Sequence, residues 1–103
     1  MPDFPDPFSG KAPDENMTFE DLIRALRLNL AAEQEAIHLY TAHADATDNE
    51  LAEAVLRDIA DEEREHVGEF QRLLNILLDD EEELLADGAE EVDEMAEELG
   101  QGE

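Results

Sequence analysis

The sequence has no cysteine, which excludes disulfides, thiolate metal sites and thiol catalysis together. It has one lysine, Lys11, and five arginines against 31 aspartates and glutamates, for a formal net charge of −25. So few cations exclude nucleic acid or an anionic membrane as a partner. No apolar run approaches the roughly 18 residues that a membrane span needs, and the N-terminal residues lack the basic-then-apolar layout of a secretion signal. A cytoplasmic location is the expectation from these two absences. Helix breakers are scarce as well. All four prolines (Pro2, Pro5, Pro7, Pro13) precede residue 18, and Gly68 is the only glycine between Thr18 and Leu78.

What remains is enough for one small domain. The 103 residues are 42% hydrophobic, so a core is possible, but a chain this short buries a modest share of its surface. Small helical chains of this kind are often stabilised by association or by metal. Self-repulsion at −25 is severe in dilute buffer, yet at molar ionic strength it is screened within about 3 Å. The charge therefore points to a halophilic origin, with most of the acids forming a solvated face.

Three segments follow. Residues 1–17, with every proline and no hydrophobic period, read as a flexible N-terminal arm. Residues 18–78 read as a helical hairpin. Its first helix starts at Thr18, with Asp21 three residues on, and runs to about Ala46. Thr47 and Glu50 form a second capping box after the turn-prone stretch 45–49, and the second helix runs to about Leu78. The short connection makes the two helices antiparallel. Residues 79–103 form an acidic C-terminal helix or tail, with 13 acids, no base and a weak apolar stripe through Leu84, Leu85, Val92, Met95 and Leu99. A break in that helix is expected near Asp87-Gly88.

The hairpin carries two seams at alternating spacings of three and four. One runs Ile23, Leu26, Leu30, Glu33, Ile37, Tyr40; the other runs Leu56, Ile59, Glu63, His66, Phe70, Leu73, Leu77. Such spacing packs helices side by side in a bundle. Glu33, Glu63 and His66 occupy positions where Leu or Ile belongs. Burying an unpaired carboxylate costs several kcal/mol, so such groups persist with a partner or a metal.

Register carries this inference, because the motif alone cannot. Glu63-Arg-Glu-His66 is an E-x-x-H pair with both side chains on one helix face. Glutamate makes up 19 of the 103 residues, and Glu35-Ala-Ile-His38 matches the same pattern. That second pair points away from the seam, since Glu35 lies about 200° round the helix from Glu33. His38, His43, Glu62, Glu65 and Glu69 are expected at the solvated surface. Tyr40, two turns beyond Glu33 on the same face, fits a core aromatic and a neighbour of the site equally well.

Carboxylates with imidazole suit Fe(II), Mn(II) and Zn(II). In ferritin-like carboxylate proteins two helices each give one Glu, and two others each give Glu-x-x-His. This chain has one helix of each kind, which is half of the set. A two-fold dimer of hairpins would supply four carboxylates and two histidines, and would cover seams that an isolated hairpin leaves half exposed. The expected architecture is therefore all-α: an antiparallel two-helix hairpin plus a C-terminal helix, dimerising into a ferritin-like four-helix bundle.

The run from Leu26 to Tyr40, then Asp61-Glu-Glu63-Arg-Glu-His66-Val-Gly-Glu-Phe70, resembles the encapsulated ferritins, most closely the archaeal type, in which this domain can be fused to an encapsulin shell protein. The resemblance spans about residues 18–95 and rests on Glu-x6-Tyr, the capped turn and E-x-x-H in order. It implies a ferroxidase: an oxidoreductase that oxidises Fe(II) with O2 or peroxide at a di-iron centre, two Fe per dimer, formed across a dimer interface. It also implies dimers joined in a ring-shaped decamer, with iron storage left to an encapsulin nanocompartment. By motif position Glu33, Glu63 and His66 match the iron ligands and Tyr40 the tyrosine beside them. Glu35 matches one acid of the family's metal-uptake site. Its usual companion is replaced by Ala32, and Leu39 stands where some members carry tryptophan. Bacterial members usually end in a short apolar shell-targeting peptide and archaeal fusions continue into the shell; the stretch Glu98-Leu-Gly-Gln-Gly-Glu103 is neither.

Two other readings fit the residues. One is a non-catalytic metal-binding protein, holding Zn(II) for stability. The other is an acidic interaction module, a shell-docking adaptor or nucleic-acid mimic whose polar trio is merely paired.

Overall fold

The computed structural model describes residues 16–100, so the expected arm over 1–17 lies almost wholly outside the described residues. The described residues form three helices and no strand: α1 (Phe19–Ala46), α2 (Glu50–Leu77) and α3 (Glu81–Glu98). The all-α expectation holds.

Local chemistry explains where each helix starts and stops. Thr18 Oγ1 accepts the Asp21 N–H at 3.1 Å and caps α1. With no Gly or Pro to interrupt it, α1 then runs for 28 residues, until Thr47 turns extended and donates its N–H to the His43 carbonyl. The expected Thr47–Glu50 box does not cap α2. Asn49 does, its Oδ1 accepting the Ala52 N–H at 2.9 Å, while Thr47 Oγ1 holds the Asn49 N–H at 3.1 Å. Asn caps at least as well as Thr, and it stands directly before the first helical residue. Between α2 and α3, Asp79 and Asp80 oppose the negative end of one helix, and Glu81, Glu82 and Glu83 favour the positive end of the next. The chain breaks there. It does not break at Asp87-Gly88, where α3 continues without interruption. One helical glycine costs about 1 kcal/mol against alanine, too little to stop a run of Glu, Leu and Ala.

The chain divides after Phe70 into two compact units. The first holds α1 and most of α2. Arg57 on α2 meets Asp45 on α1 at 2.9 Å, and His66 meets Glu33 at 3.4 Å. As the α1 partner steps back from 45 to 33, the α2 partner steps forward from 57 to 66, so the helices are antiparallel. Arg57 also binds Glu53. Its hydrogen bonds to Asp45, and then to Glu53, push its guanidinium above the ordinary arginine range. The second unit holds the end of α2 and α3, where Arg72 lies 3.8 Å from Glu82.

Leu26, Ala44 and Ala60 are buried in the first unit and Leu74 in the second. Among the described residues no polar or charged residue is fully buried. These positions correct the expected seam of α2. Leu73 is 40% exposed, whereas its neighbour Leu74 is buried, and Ala60 is buried beside a half-buried Ile59. The inward line therefore runs Leu56, Ala60, Glu63, Val67, Phe70, Leu74, Leu77. It shares Leu56, Glu63, Phe70 and Leu77 with the expected seam and departs at every second step. His66 is accordingly on the flank of the packed face and not at its centre.

Candidate metal centre

Glu33 stands on α1, and Glu63 and His66 one turn apart on α2. Their donor atoms all lie within 4.8 Å of one another, and among the described residues this is the only group of three or more His, Cys, Asp or Glu donors so placed. Register explains the meeting: Glu33 and Glu63 occupy inward positions of antiparallel helices, and the i, i+3 step brings His66 to the same side as Glu63.

The three are unequally buried. Glu63 and Glu33 keep 18% and 23% of their side chains exposed, whereas His66 keeps 46%. His66 Nδ1 lies 3.4 Å from Glu63 Oε2 in a long hydrogen bond. It is also 3.4 Å from Glu33 Oε2. That second contact lacks hydrogen-bond geometry, and Glu33 Oε2 is a buried oxygen with no hydrogen-bond partner. An acceptor desolvated in this way costs about 1–3 kcal/mol, more when charged. Four arginines pair with other acids: Arg24 with Glu20, Arg57 with Asp45 and Glu53, Arg64 with Asp61 and Arg72 with Glu82.

Two carboxylates and one imidazole are donors that Fe(II), Mn(II) and Zn(II) accept, and a cation among them would engage the orphaned Glu33 oxygen. The donor set fits. Three ligands from one chain leave coordination positions open, and the open side is that of His66.

The other sequence candidates fall outside the cluster. Glu35 and His38 are exposed on α1, as the register required of the decoy pair. His43, Glu62, Glu65 and Glu69 are exposed too. Tyr40 is half-buried on the α1 seam. The structure adds no donor that the sequence had missed. It adds the orphaned oxygen and the outward displacement of His66, neither of which spacing can reveal.

A helical hairpin that sets one Glu beside a Glu-x-x-His pair defines a ferritin-like carboxylate domain. More particularly, the chain belongs to the rubrerythrin family, which it matches over residues 10–99. It is 52% identical over 68 residues to the encapsulin nanocompartment cargo protein EncC of Myxococcus xanthus, an alignment covering 66% of this chain and 52% of that protein. It is 42% identical over 82 residues to a ferritin-like–encapsulin shell fusion protein of Pyrococcus furiosus, covering 80% of this chain and 24% of that one. The chain thus spans only part of the length of these curated relatives. The crystal structure of an encapsulated ferritin domain from Pyrococcus furiosus superimposes with a TM-score of 0.76 at 41% identity, covering 80% of this chain and 84% of that one. The fold is ferritin-like and all-α.

Proposed function

We propose that this chain is a ferroxidase half-site, oxidising Fe(II) to Fe(III) at a di-iron centre completed by a second copy. The observation that carries the reading is the trio itself: Glu33, Glu63 and His66 converge on one point, with a buried Glu33 oxygen lacking any hydrogen-bond partner. A structural polar cluster would satisfy that oxygen. A ligand set leaves it for the cation.

Iron is the substrate here. Two Fe(II) give up one electron each, and peroxide takes both with two protons to leave two waters, or O2 takes both with two protons to leave peroxide. The chain's residues supply hard carboxylates, which favour the ferric product, and an imidazole at the solvent-facing flank. Two copies meeting along that flank would bring together four carboxylates and two imidazoles, the full ferritin-like set. In this reading Tyr40, half-buried on α1, borders the completed centre and Glu35, exposed on α1, meets incoming cations. Relatives named as encapsulin cargo and as a shell fusion support association with an encapsulin shell; storage of the oxidised iron inside such a shell is part of the proposal. Ring-shaped assembly of the dimers belongs to the same reading.

Anaerobic addition of Fe(II) followed by air should give ferric absorbance that saturates at about one iron per chain, half of a di-iron set. Glu63→Ala should abolish the fast phase. Equal rates in wild type and variant would sink the reading. A non-catalytic binder would instead take up metal and melt higher without consuming O2.

A further inference from the structure

Among the described residues, the buried positions of the first unit are Leu26, Ala44 and Ala60, and two of these are alanines, where larger side chains would bury more apolar surface. Ala60 keeps 5% of its surface exposed and Ala44 keeps 1%. Added copies only remove surface, so this burial holds in any assembly.

Register puts Ala60 next to the metal centre. Glu33 on α1 meets His66 on α2, and Asp45 meets Arg57. Between those two points, position 40 of α1 stands level with position 60 of α2. Half-buried Tyr40 and buried Ala60 therefore share one layer of the hairpin. The next layer toward the turn sets Ala44 against Leu56 in the same way, so each of these layers combines a large side chain with a small one. Glu63 follows Ala60 by three residues, about 4.5 Å along α2.

Helix separation beside Glu63 matters because the donors come from two helices. His66 Nδ1 and Glu33 Oε2 stand 3.4 Å apart across the hairpin. Metal bonds of about 2.1 Å put neighbouring donors about 3.0–3.4 Å apart, and opposite donors no more than about 4.2 Å. Separations between packed helices run over about 8–10 Å with the side chains at the contact. A widening of about 1 Å would carry the cross-helix pair beyond the span of a single cation.

We propose that Ala60 is a positioning residue for the metal centre: its small side chain, level with Tyr40, holds α1 and α2 close enough for one cation to bridge Glu33 to Glu63 and His66. This rests on the metal reading and adds to it the element that fixes the distance between the two halves of the ligand set. Ala60 itself touches no metal in this account.

The test is calorimetric titration of the full chain with Zn(II), with Glu33→Leu as the blank for binding to surface acids. Ala60→Leu should weaken the Zn(II) site by at least about tenfold. Ala44→Leu overpacks a buried alanine one layer farther away. It should lower Tm comparably and leave Zn(II) affinity within about threefold of wild type. Ala60→Leu combined with Tyr40→Ala exchanges large and small across the layer, and should bind Zn(II) about tenfold more tightly than Ala60→Leu alone. Circular dichroism verifies folding, and valine replaces leucine at both alanine positions should either variant unfold. Undiminished Zn(II) affinity in folded Ala60→Leu overturns the proposal and leaves the metal reading standing. Equal loss in Ala44→Leu overturns it too, since general destabilisation would then explain both. Wild type binding no more tightly than the Glu33→Leu blank overturns the metal reading, and this proposal with it.

Discussion

Replacing Glu33 by leucine should stabilise the metal-free protein and abolish its response to metal. The side chain is 23% exposed, so roughly three quarters of a leucine at that position would be buried. Full burial of leucine contributes about 1.5–3 kcal/mol, which scales to about 1–2 kcal/mol here. Removing the orphaned oxygen relieves a further desolvation cost of about 1–3 kcal/mol, an upper bound because the site is partly open. The first term alone gives at least about 1 kcal/mol and both together at most about 5 kcal/mol, and each kcal/mol raises Tm by about 4–8 °C in a domain of this size. Metal acts on the wild type alone. At a free concentration of about 100 Kd the wild type gains about 2.7 kcal/mol from binding, and the variant gains nothing. Thermal melts by circular dichroism, in EDTA and then with Mn(II) as a redox-inert probe, read both effects. Glu65→Leu, at an exposed position on α2, is the control and should keep the metal response. The reasoning is refuted if Glu33→Leu melts below wild type in EDTA, which would make Glu33 a structural partner. It is equally refuted if Mn(II) raises the variant's Tm as far as the wild type's.

Gly68 lies within α2 with open space around an added Cβ, so Gly68→Ala should raise stability by about 0.5–1 kcal/mol. A higher Tm with unchanged iron oxidation is the expected result; a lower Tm would mean that a partner packs against that glycine. Asn49→Ala should cost about 1 kcal/mol, since the Asn49 side chain holds the Ala52 N–H, whereas Asn49→Asp should cost little. Urea midpoints measure both, and no loss in the alanine variant would move the capping role to Thr47.

The helices were legible because their ends are chemically marked. Thr18 caps α1, and the absence of proline after Pro13 lets each helix run to its length. The α2 seam was legible only at alternate steps. Spacings of three and four admit two lines through Leu56, Glu63, Phe70 and Leu77, which differ at Ile59 or Ala60, His66 or Val67, and Leu73 or Leu74. Hydrophobicity favours Ile59 over Ala60, and it cannot separate two leucines. Burial follows instead from how closely the backbones approach, and a small side chain such as Ala60 permits a closer approach. Gly88 misled in the same way, because a propensity of about 1 kcal/mol is a weak signal when the flanking residues favour helix.

The candidate site survived that ambiguity for a specific reason. Glu33 and Glu63 sit at positions that do not depend on which line is chosen, so both point inward in either register. His66 belongs to only one line, and its 46% exposure follows from the other being taken. That displacement is consistent with a site that is not finished within one hairpin: a ligand at the flank can meet a second surface, and one at the centre of the seam cannot. Spacing alone could not distinguish a ligand set from a self-satisfied polar cluster. The distinction rests on one atom, Glu33 Oε2, which lies 3.4 Å from an imidazole nitrogen whose hydrogen-bond geometry favours Glu63 instead. Were the trio structural, a small rotation of His66 would have satisfied both carboxylates in turn, and nothing would be gained by leaving one desolvated. A cation removes that cost directly, which is why Glu33→Leu in the presence and absence of metal separates the two readings more sharply than loss of activity alone.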